Sequence, residues 1–583
     1  MSFLSRIMVL KSRGHFSTGA RGVSPRKAGV NFEGTRKKKA QQARNRVGLV
    51  ICSFAALYCV IGGKLVLYGI RQPEATSSIA PADRLMASRP DIVDRNGAVL
   101  ATDIRTVSLF AEPHKIVDPD EVIEKLATVL HDIDAKSIYA KLSSKSRFQW
   151  LKRQLTPKQQ SQILALGIPG IGFRPEKRRF YPGGATAAHI VGYVNIDNRG
   201  VSGMERYIDS QGLADLASVG MTSNQPLEPV KLSIDLRVQA IVRDVVASSI
   251  GKYQAIGAGA AVIDVHTGEI LGMASAPDFD PNDPNAEGAE KGWMNRMTNS
   301  TFEMGSTFKS FTIAMGLDEN KIKLSDSIDA RFPIRIGGFT VKDFHGKGRF
   351  LSVPEIFQYS SNIGTAKIAD LVGIPAHKEF LTKLGLLTRM KTELPEIAMP
   401  SQPREWKKIN QVTISFGHGV ATTPLQTAVA GAALVNGGKL IEPTFLPRTP
   451  EQADEVATQV MQPSTSKDMR YLFEWNGSKG SGRNARVDGF DVGGKTGTAD
   501  KIVNGRYVHD KNFNAFLSAF PMSNPRYVVL SFSDEPKTDK GNGAALAAMS
   551  AAPMVKEIIT RAAPILGVQP SFGENGSALL VSY

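Results

Sequence analysis

GAAVIDVHTGEILGMAS, residues Gly259 to Ser275, reads as two β-strands joined by a tight His266-Thr267-Gly268 turn. Upstream, Leu236 to Ser249 carries apolar residues at helical spacing, and a long helical middle follows, including Val353 to Val372 and Thr423 to Val435. Strand patterns return at Phe490 to Gly493, Asn514 to Phe520 and Tyr527 to Phe532, before a last helix over about Ala544 to Thr560. Strands at both ends with helices between them predict an antiparallel sheet flanked by helices, with a mostly helical insert. The expectation is an α+β domain over residues 230–565, followed by a C-terminal tail, 566–583.

A different regime precedes it. The chain has 583 residues, too many for one compact core. Residues 89–229 read as mixed: strand-like runs at Thr106 to Ala111 and Ile190 to Val194, and a helix from Asp120 to Leu130 with acids early in its first turn. Glycine and proline punctuate it densely, as in Gly167-Ile168-Pro169-Gly170 and Tyr181-Pro182-Gly183-Gly184. Residues 71–88 are small and polar, a tether. Before them, Val47 to Ile70 reads VGLVICSFAALYCVIGGKLVLYGI, with Lys64 as its only charge, long enough to cross a bilayer as a single N-terminal transmembrane helix.

The net charge of +16 invites a nucleic-acid reading, which its distribution excludes. About a dozen Lys and Arg precede residue 47 against one acid, Glu33, and no aromatic residues interleave with Arg36-Lys37-Lys38-Lys39 as a base-stacking surface requires. A basic arm, residues 1–46, ahead of a first span predicts a cytoplasmic N-terminus and everything after Arg71 on the far side. The arm is too long, and the apolar run too long, for a cleaved signal peptide. Both cysteines, Cys52 and Cys59, lie in the span, so the exported part has no disulfide, thiol nucleophile or Cys-based metal site.

Three polar motifs interrupt the α+β domain. Ser306-Thr307-Phe308-Lys309 follows Gly305 and opens a helix with the apolar periodicity of FKSFTIAMGL. Positions i and i+3 share a helix face, so the Ser306 hydroxyl and the Lys309 amine can touch. A serine becomes a nucleophile when a neighbouring base takes its proton, and a lysine serves once burial and nearby cations depress its pKa. Ser360-Ser361-Asn362 falls inside an otherwise apolar helical stretch, where a hydroxyl and an amide need core partners or line a cleft. Lys495-Thr496-Gly497-Thr498 follows the strand-like FDVGG, and its glycine lets a substrate backbone approach closely. Ser-x-x-Lys also occurs at Ser24, Ser249 and Ser464, so by itself it marks helix caps and surface pairs. The order carries more: Ser-x-x-Lys, Ser-x-Asn some fifty residues on, then Lys-Thr-Gly well over a hundred further.

That arrangement in an exported chain resembles the penicillin-recognising serine acyltransferases. The resemblance extends from the span to about residue 565. Arg89-Pro-Asp-Ile-Val-Asp-Arg95-Asn-Gly97, Arg179-Phe-Tyr181-Pro182-Gly183, Ala188-His189-Ile-Val-Gly192 and Gly203-Met-Glu205 resemble the pedestal (dimerisation-type) domain of class B penicillin-binding proteins. Phe416-Gly417-His418-Gly419 and Thr423-Pro424-Leu425-Gln426 resemble the loop and helix between the second and third motifs. Ser-Ser-Asn-Ile-Gly at Ser360 to Gly364, and the run from Gly172 to Pro182, look more like the cell-division branch than the elongation branch. Two departures stand out, Pro90 and His418, and His418 is read as structural because the chemistry already has its base.

The resemblance implies a septal peptidoglycan D,D-transpeptidase and penicillin target, of serine-type D-Ala-D-Ala transpeptidase/carboxypeptidase chemistry. The elongation-branch enzyme is the alternative. A β-lactam sensor would need a cytoplasmic effector domain that the arm cannot fold. Ser306 would attack the penultimate D-Ala carbonyl of a stem peptide, with Lys309 as base and Ser360 as relay to the leaving D-Ala. The oxyanion would lie between the backbone N–H groups of Ser306 and Thr498. Asn362 would hold the acyl chain and the Lys309 amine. Lys495 and Thr496, with Gly497 and Thr498, would bind the donor and its terminal carboxylate. The implied setting is a bacterial inner membrane with the catalytic domain periplasmic. Implied partners are D-Ala-D-Ala stem peptides, β-lactams, a SEDS-family glycosyltransferase and other divisome proteins. No metal or organic cofactor is implied.

Overall fold

The computed structural model describes residues 46, 48–49, 51–64, 89–212, 227–503, 505–538 and 545–572. The chain divides into two units, Met1–Ile79 and Ala80–Tyr583. Of the first, residues 51–64 are helical and carry both cysteines exposed. Among the described residues no helix is long and apolar enough to cross a membrane. The expected span is only partly covered, because residues 47, 50 and 65–70 lie outside the described set, as do nearly all of the basic arm, the tether, and residues 573–583 of the tail.

The second unit begins with a five-stranded sheet. Its strands are β1 (Ile92–Val93), β2 (Val99–Ala111), β3 (Gln149–Leu155), β4 (Ile171–Phe180) and β5 (Val230–Lys231). The order is β3-β2-β1-β5, with β4 also on β2, and β5 pairs β1 in parallel. Helix α1 (Pro119–Ala127) starts on Asp118, whose carboxylate accepts the Asp120 and Glu121 amides. It buries Val122 and Leu126 against Leu109, Ile138 and Leu155 in a core of its own. Ile190 to Val194 is not a strand. Ala188–Val191 is a helical turn, α2, with Ile190 and Val191 buried and the His189 ring on the Gly292 carbonyl at 2.7 Å. Helix α3 (Gly203–Ser210) follows it.

Three of the motifs quoted above converge here on one buried ionic group. Glu205 takes Arg89 at 2.8 Å and Arg179 at 2.7 Å. Arg89 also reaches Asp209 at 2.6 Å, and Arg179 reaches Asp103 at 3.1 Å. Arg89, Arg179 and Glu205 are all buried, so each charge depends on its partners.

The larger sheet is antiparallel. Strands β6 (Gly257–Asp264) and β7 (Ile270–Ala276) form the hairpin expected from Gly259 to Ser275, and β8 (Gly493–Val503), β9 (Arg506–Phe520) and β10 (Tyr527–Asp534) complete the order β8-β9-β10-β6-β7. Alternate residues of β9 enter different cores: Phe513, Ala515, Leu517 and Ala519 on one face, Phe516 and Phe520 on the other. Both faces are covered, which is why these strands read as continuous apolar runs. Helix α4 (Leu236–Tyr253) and the final helix pack on the second face. On the first lie α5 (Lys309–Asp318), α6 (Val353–Tyr359), α7 (Asn362–Val372), α8 (Pro424–Ala433) and α9 (Pro463–Lys479). The final helix, α10, spans Ala551–Ala562. The architecture is α+β, with β8 at one edge of the sheet.

Candidate active site

Ser306 sits on a 3₁₀ turn, Gly305–Phe308, that runs directly into α5. Phe308, Phe311 and Ile313 anchor the turn and helix in the core, and the Thr307 hydroxyl donates to the Met304 carbonyl at 2.8 Å. Ser306 itself stays half-buried, and its hydroxyl finds no hydrogen-bond partner among the described residues. The expected Ser306–Lys309 contact is therefore not a hydrogen bond. Lys309 is fully buried, and its amine donates to the Ser360 carbonyl and, at 3.0 Å, to the Ser360 hydroxyl. A buried amine takes whichever acceptors lie nearest, and Ser360 offers two.

The Ser-x-Asn motif breaks the helix it was expected to occupy. Ser360 adopts a left-handed conformation, φ 55°, that ends α6, and Ser361 caps α7 by accepting the Gly364 amide. That reversal turns the Ser360 carbonyl and hydroxyl toward Lys309. The Asn362 amide donates to the Lys342 carbonyl at 2.9 Å rather than to the Lys309 amine. Sequence reading missed Asp343, whose carboxylate accepts the Ser361 hydroxyl at 2.7 Å and the Ile363 amide at 2.9 Å, so it holds the break in place. A lone Asp in a polar loop carries no sequence signal for that role.

Lys-Thr-Gly-Thr lies within edge strand β8, not after it. The Lys495 ammonium donates to the Ser360 hydroxyl at 3.0 Å and to the Thr496 carbonyl at 3.1 Å. The hydroxyls of Thr496 and Ser481, the latter also missed, lie 2.6 Å apart. Gly497 is required by the nucleophile turn, since a Cβ there would strike the Met304 carbonyl and the Thr307 side chain. Conversely, a Cβ on Gly305 (φ +51°) would come within 2.5 Å of the Thr498 carbonyl. The Ser306 and Thr498 backbones are thus neighbours across two glycines. Of the other Ser-x-x-Lys matches, Ser249 is buried on α4, donating to the Val246 carbonyl, Ser464 is exposed on the first turn of α9, and Ser24 lies outside the described residues.

Burial pushes the Lys309 amine well below its ordinary value. The neighbouring Lys495 charge adds to the shift and Asp343 opposes it. Burial also lowers Lys495, to about 7. The site therefore holds two buried lysines whose charged forms are disfavoured, both on the Ser360 hydroxyl. This arrangement suits acyl transfer: a half-exposed serine, an amine biased toward its neutral form nearby, and paired backbones for an oxyanion.

Comparison with known proteins agrees. The family model described as the penicillin binding protein transpeptidase domain matches residues 258–560, and that of the penicillin-binding protein dimerisation domain matches residues 84–217. The chain belongs to the penicillin-binding protein transpeptidases, as a class B member of the division branch. It is 38% identical over 499 residues to the probable peptidoglycan D,D-transpeptidase FtsI of Caulobacter vibrioides, covering 84% of this chain and 83% of that protein. It is 33% identical over 565 residues to the probable peptidoglycan D,D-transpeptidase PenA of Neisseria gonorrhoeae, covering 92% and 95%. The peptidoglycan D,D-transpeptidase FtsI of Escherichia coli K12 is 29% identical over 490 residues, covering 80% and 82%.

Proposed function

We propose that the protein is the septal peptidoglycan D,D-transpeptidase of its cell, cross-linking stem peptides through a Ser306 acyl-enzyme. The observation that carries this reading is the meeting of three distant motifs at one hydroxyl: Ser360 accepts from Lys309 and Lys495, each at 3.0 Å, beside the turn that bears Ser306. Lys309, neutral, takes the Ser306 proton as Ser306 attacks the penultimate D-Ala carbonyl. The oxyanion is received by the Ser306 and Thr498 backbone amides. The proton passes through Ser360 to the departing D-Ala. Lys495 and Thr496 receive the donor's terminal carboxylate, whose charge favours the protonated form of Lys495. Gly497 and Thr498 line the donor, and Asn362, once released from Lys342, contacts the acyl chain. A β-lactam enters as a D-Ala-D-Ala mimic and remains as a slow acyl-enzyme.

The domain layout follows the same reading: a basic cytoplasmic arm (1–46), a membrane helix (47–70), a tether (71–88), a pedestal (89–229), a periplasmic transpeptidase domain (230–565) and a tail (566–583). The inner membrane, a SEDS-family glycosyltransferase and other divisome proteins are the partners this layout suits. Alkaline phosphatase fused after Pro229 should be active and fused before Arg46 inactive; the opposite result overturns the topology. Labelling with a fluorescent penicillin tests the chemistry. We expect a covalent adduct on Ser306 and none in Ser306→Ala, and an adduct on Ser24, Ser249 or Ser464 overturns the assignment.

A further inference from the structure

His418 is a titratable group beside the nucleophile that the chemistry above leaves unused. It lies between two glycines of positive φ, and a Cβ on the first, Gly417, would strike the Gly305 carbonyl. The loop backbone therefore rests directly on the turn that carries Ser306. Glu303, three residues before Ser306, fastens it there: its carboxylate accepts the Gly419 amide at 2.7 Å and the Tyr507 hydroxyl at 3.2 and 3.3 Å. Tyr507, from β9, presents its ring edge-to-face to the His418 ring at 5.6 Å, and Phe416 flanks it at the same distance. Nδ1 of His418 is enclosed with no well-formed hydrogen bond, although the Phe416 backbone lies near the ring. Burial and Lys309 favour the neutral imidazole, while Asp500 on β8 opposes them.

Charge divides this centre in two. Lys309 and Lys495 meet at Ser360, which suits a donor that ends in a carboxylate. Asp500 acts on His418, and Glu303 holds the Gly419 amide and the Tyr507 hydroxyl beside it, which suits a group that is a cation in water. A transpeptidase has two substrates of this kind: a donor with a terminal carboxylate and an acceptor bearing a primary amine.

We propose that His418 is the base of the acceptor half-reaction, standing where the amine of a second stem peptide meets the acyl-enzyme. The inference rests on the transpeptidase reading. The acceptor ammonium first gives one proton to solvent, and as the neutral amine nitrogen bonds to the acyl carbonyl carbon its second proton passes to the His418 imidazole. The bond from that carbon to Ser306 Oγ breaks, and Oγ takes a proton from the Ser360 hydroxyl, which draws one from the Lys495 ammonium bonded to it. The imidazolium then loses its proton to solvent and Lys495 regains one. Asp500 stabilises the imidazolium in between, and Glu303 is a positioning residue for the loop.

The test uses the full chain in detergent, a D-alanyl thioester donor and D-alanine as acceptor. In His418→Gln and His418→Phe we expect transfer to D-alanine to fall on the order of 10²-fold, the usual size of a lost general base. Fluorescent-penicillin acylation should stay within about twofold of wild type, since it does not use the acceptor. Transfer that persists within about twofold in either variant overturns the proposal. So does a parallel loss of penicillin acylation, which would assign His418 to the donor step or to folding. A wild-type protein that penicillin fails to acylate at Ser306 would instead overturn the transpeptidase reading itself.

Discussion

The Lys309 amine donates to the Ser360 hydroxyl at 3.0 Å, across 51 residues of sequence, rather than to Ser306 three residues away. The fold thus holds Lys309 on Ser360 and leaves Ser306 half-exposed. Lys495 holds the same hydroxyl from the opposite side of the sequence.

Separate roles for the two lysines predict separate responses to arginine, which keeps the charge and cannot lose its proton at working pH. Lys309→Arg should abolish penicillin acylation as fully as Lys309→Ala, about 10²- to 10⁴-fold for a lost base. Lys495→Arg should retain a measurable fraction. Acylation rates with one penicillin decide it, and equal rates in the two arginine variants would remove Lys309 from the role of base.

Lys495 should also oppose folding in a pH-dependent way. Its folded-state value of about 7 lies below its ordinary 10.5. Between these values the unfolded chain binds the extra proton, so this group's contribution to stability falls as pH drops from 10.5 toward 7. Lys495→Met should accordingly raise the unfolding midpoint most near pH 6 and least near pH 10, while abolishing acylation. At about 1.4 kcal/mol per unit the gain at low pH is a few kcal/mol, reduced by the acceptors left unmade. Thermal melts at the two pH values check it, and a gain that grows with pH would contradict it.

Gly497→Ala should disable the site without touching a reacting group. The added Cβ meets the Met304 carbonyl, so strand and nucleophile turn must separate. A misplacement near 1 Å costs on the order of 10²-fold. Acylation should fall by that much and the unfolding midpoint should drop, since overpacking typically costs about 1–3 kcal/mol, and full activity would show that the turn yields freely.

On α3, Glu205→Gln leaves Arg89 and Arg179 buried against a neutral partner. Breaking a buried ion pair on one side typically costs about 3–5 kcal/mol. Denaturant unfolding should show a loss of that order, and a change under about 0.5 kcal/mol, the range of ordinary surface substitutions, would mean that the network relaxes.

Local chemistry is why so much was legible from residue order. The hairpin at His266-Thr267-Gly268 and the helix from Leu236 follow from turn residues and apolar period, both properties of neighbouring residues. The site residues could be singled out because three short motifs recur in a fixed order, a pattern along the chain. Tertiary structure alone decided what those residues touch. Ser360 interrupts an apolar helical run that periodicity reads as continuous, because Asp343, remote in sequence, holds the break open. Gly497 looked like a concession to substrate, yet the backbone of the Ser306 turn fills that space. The depressed pKa values of Lys309 and Lys495 depend on burial and, for Lys309, on the position of Lys495, which the chain order does not contain. Contacts between residues far apart in sequence come from packing two cores against one sheet, and only the folded chain brings Arg89, Arg179 and Glu205, or Lys309, Ser360 and Lys495, to a shared point.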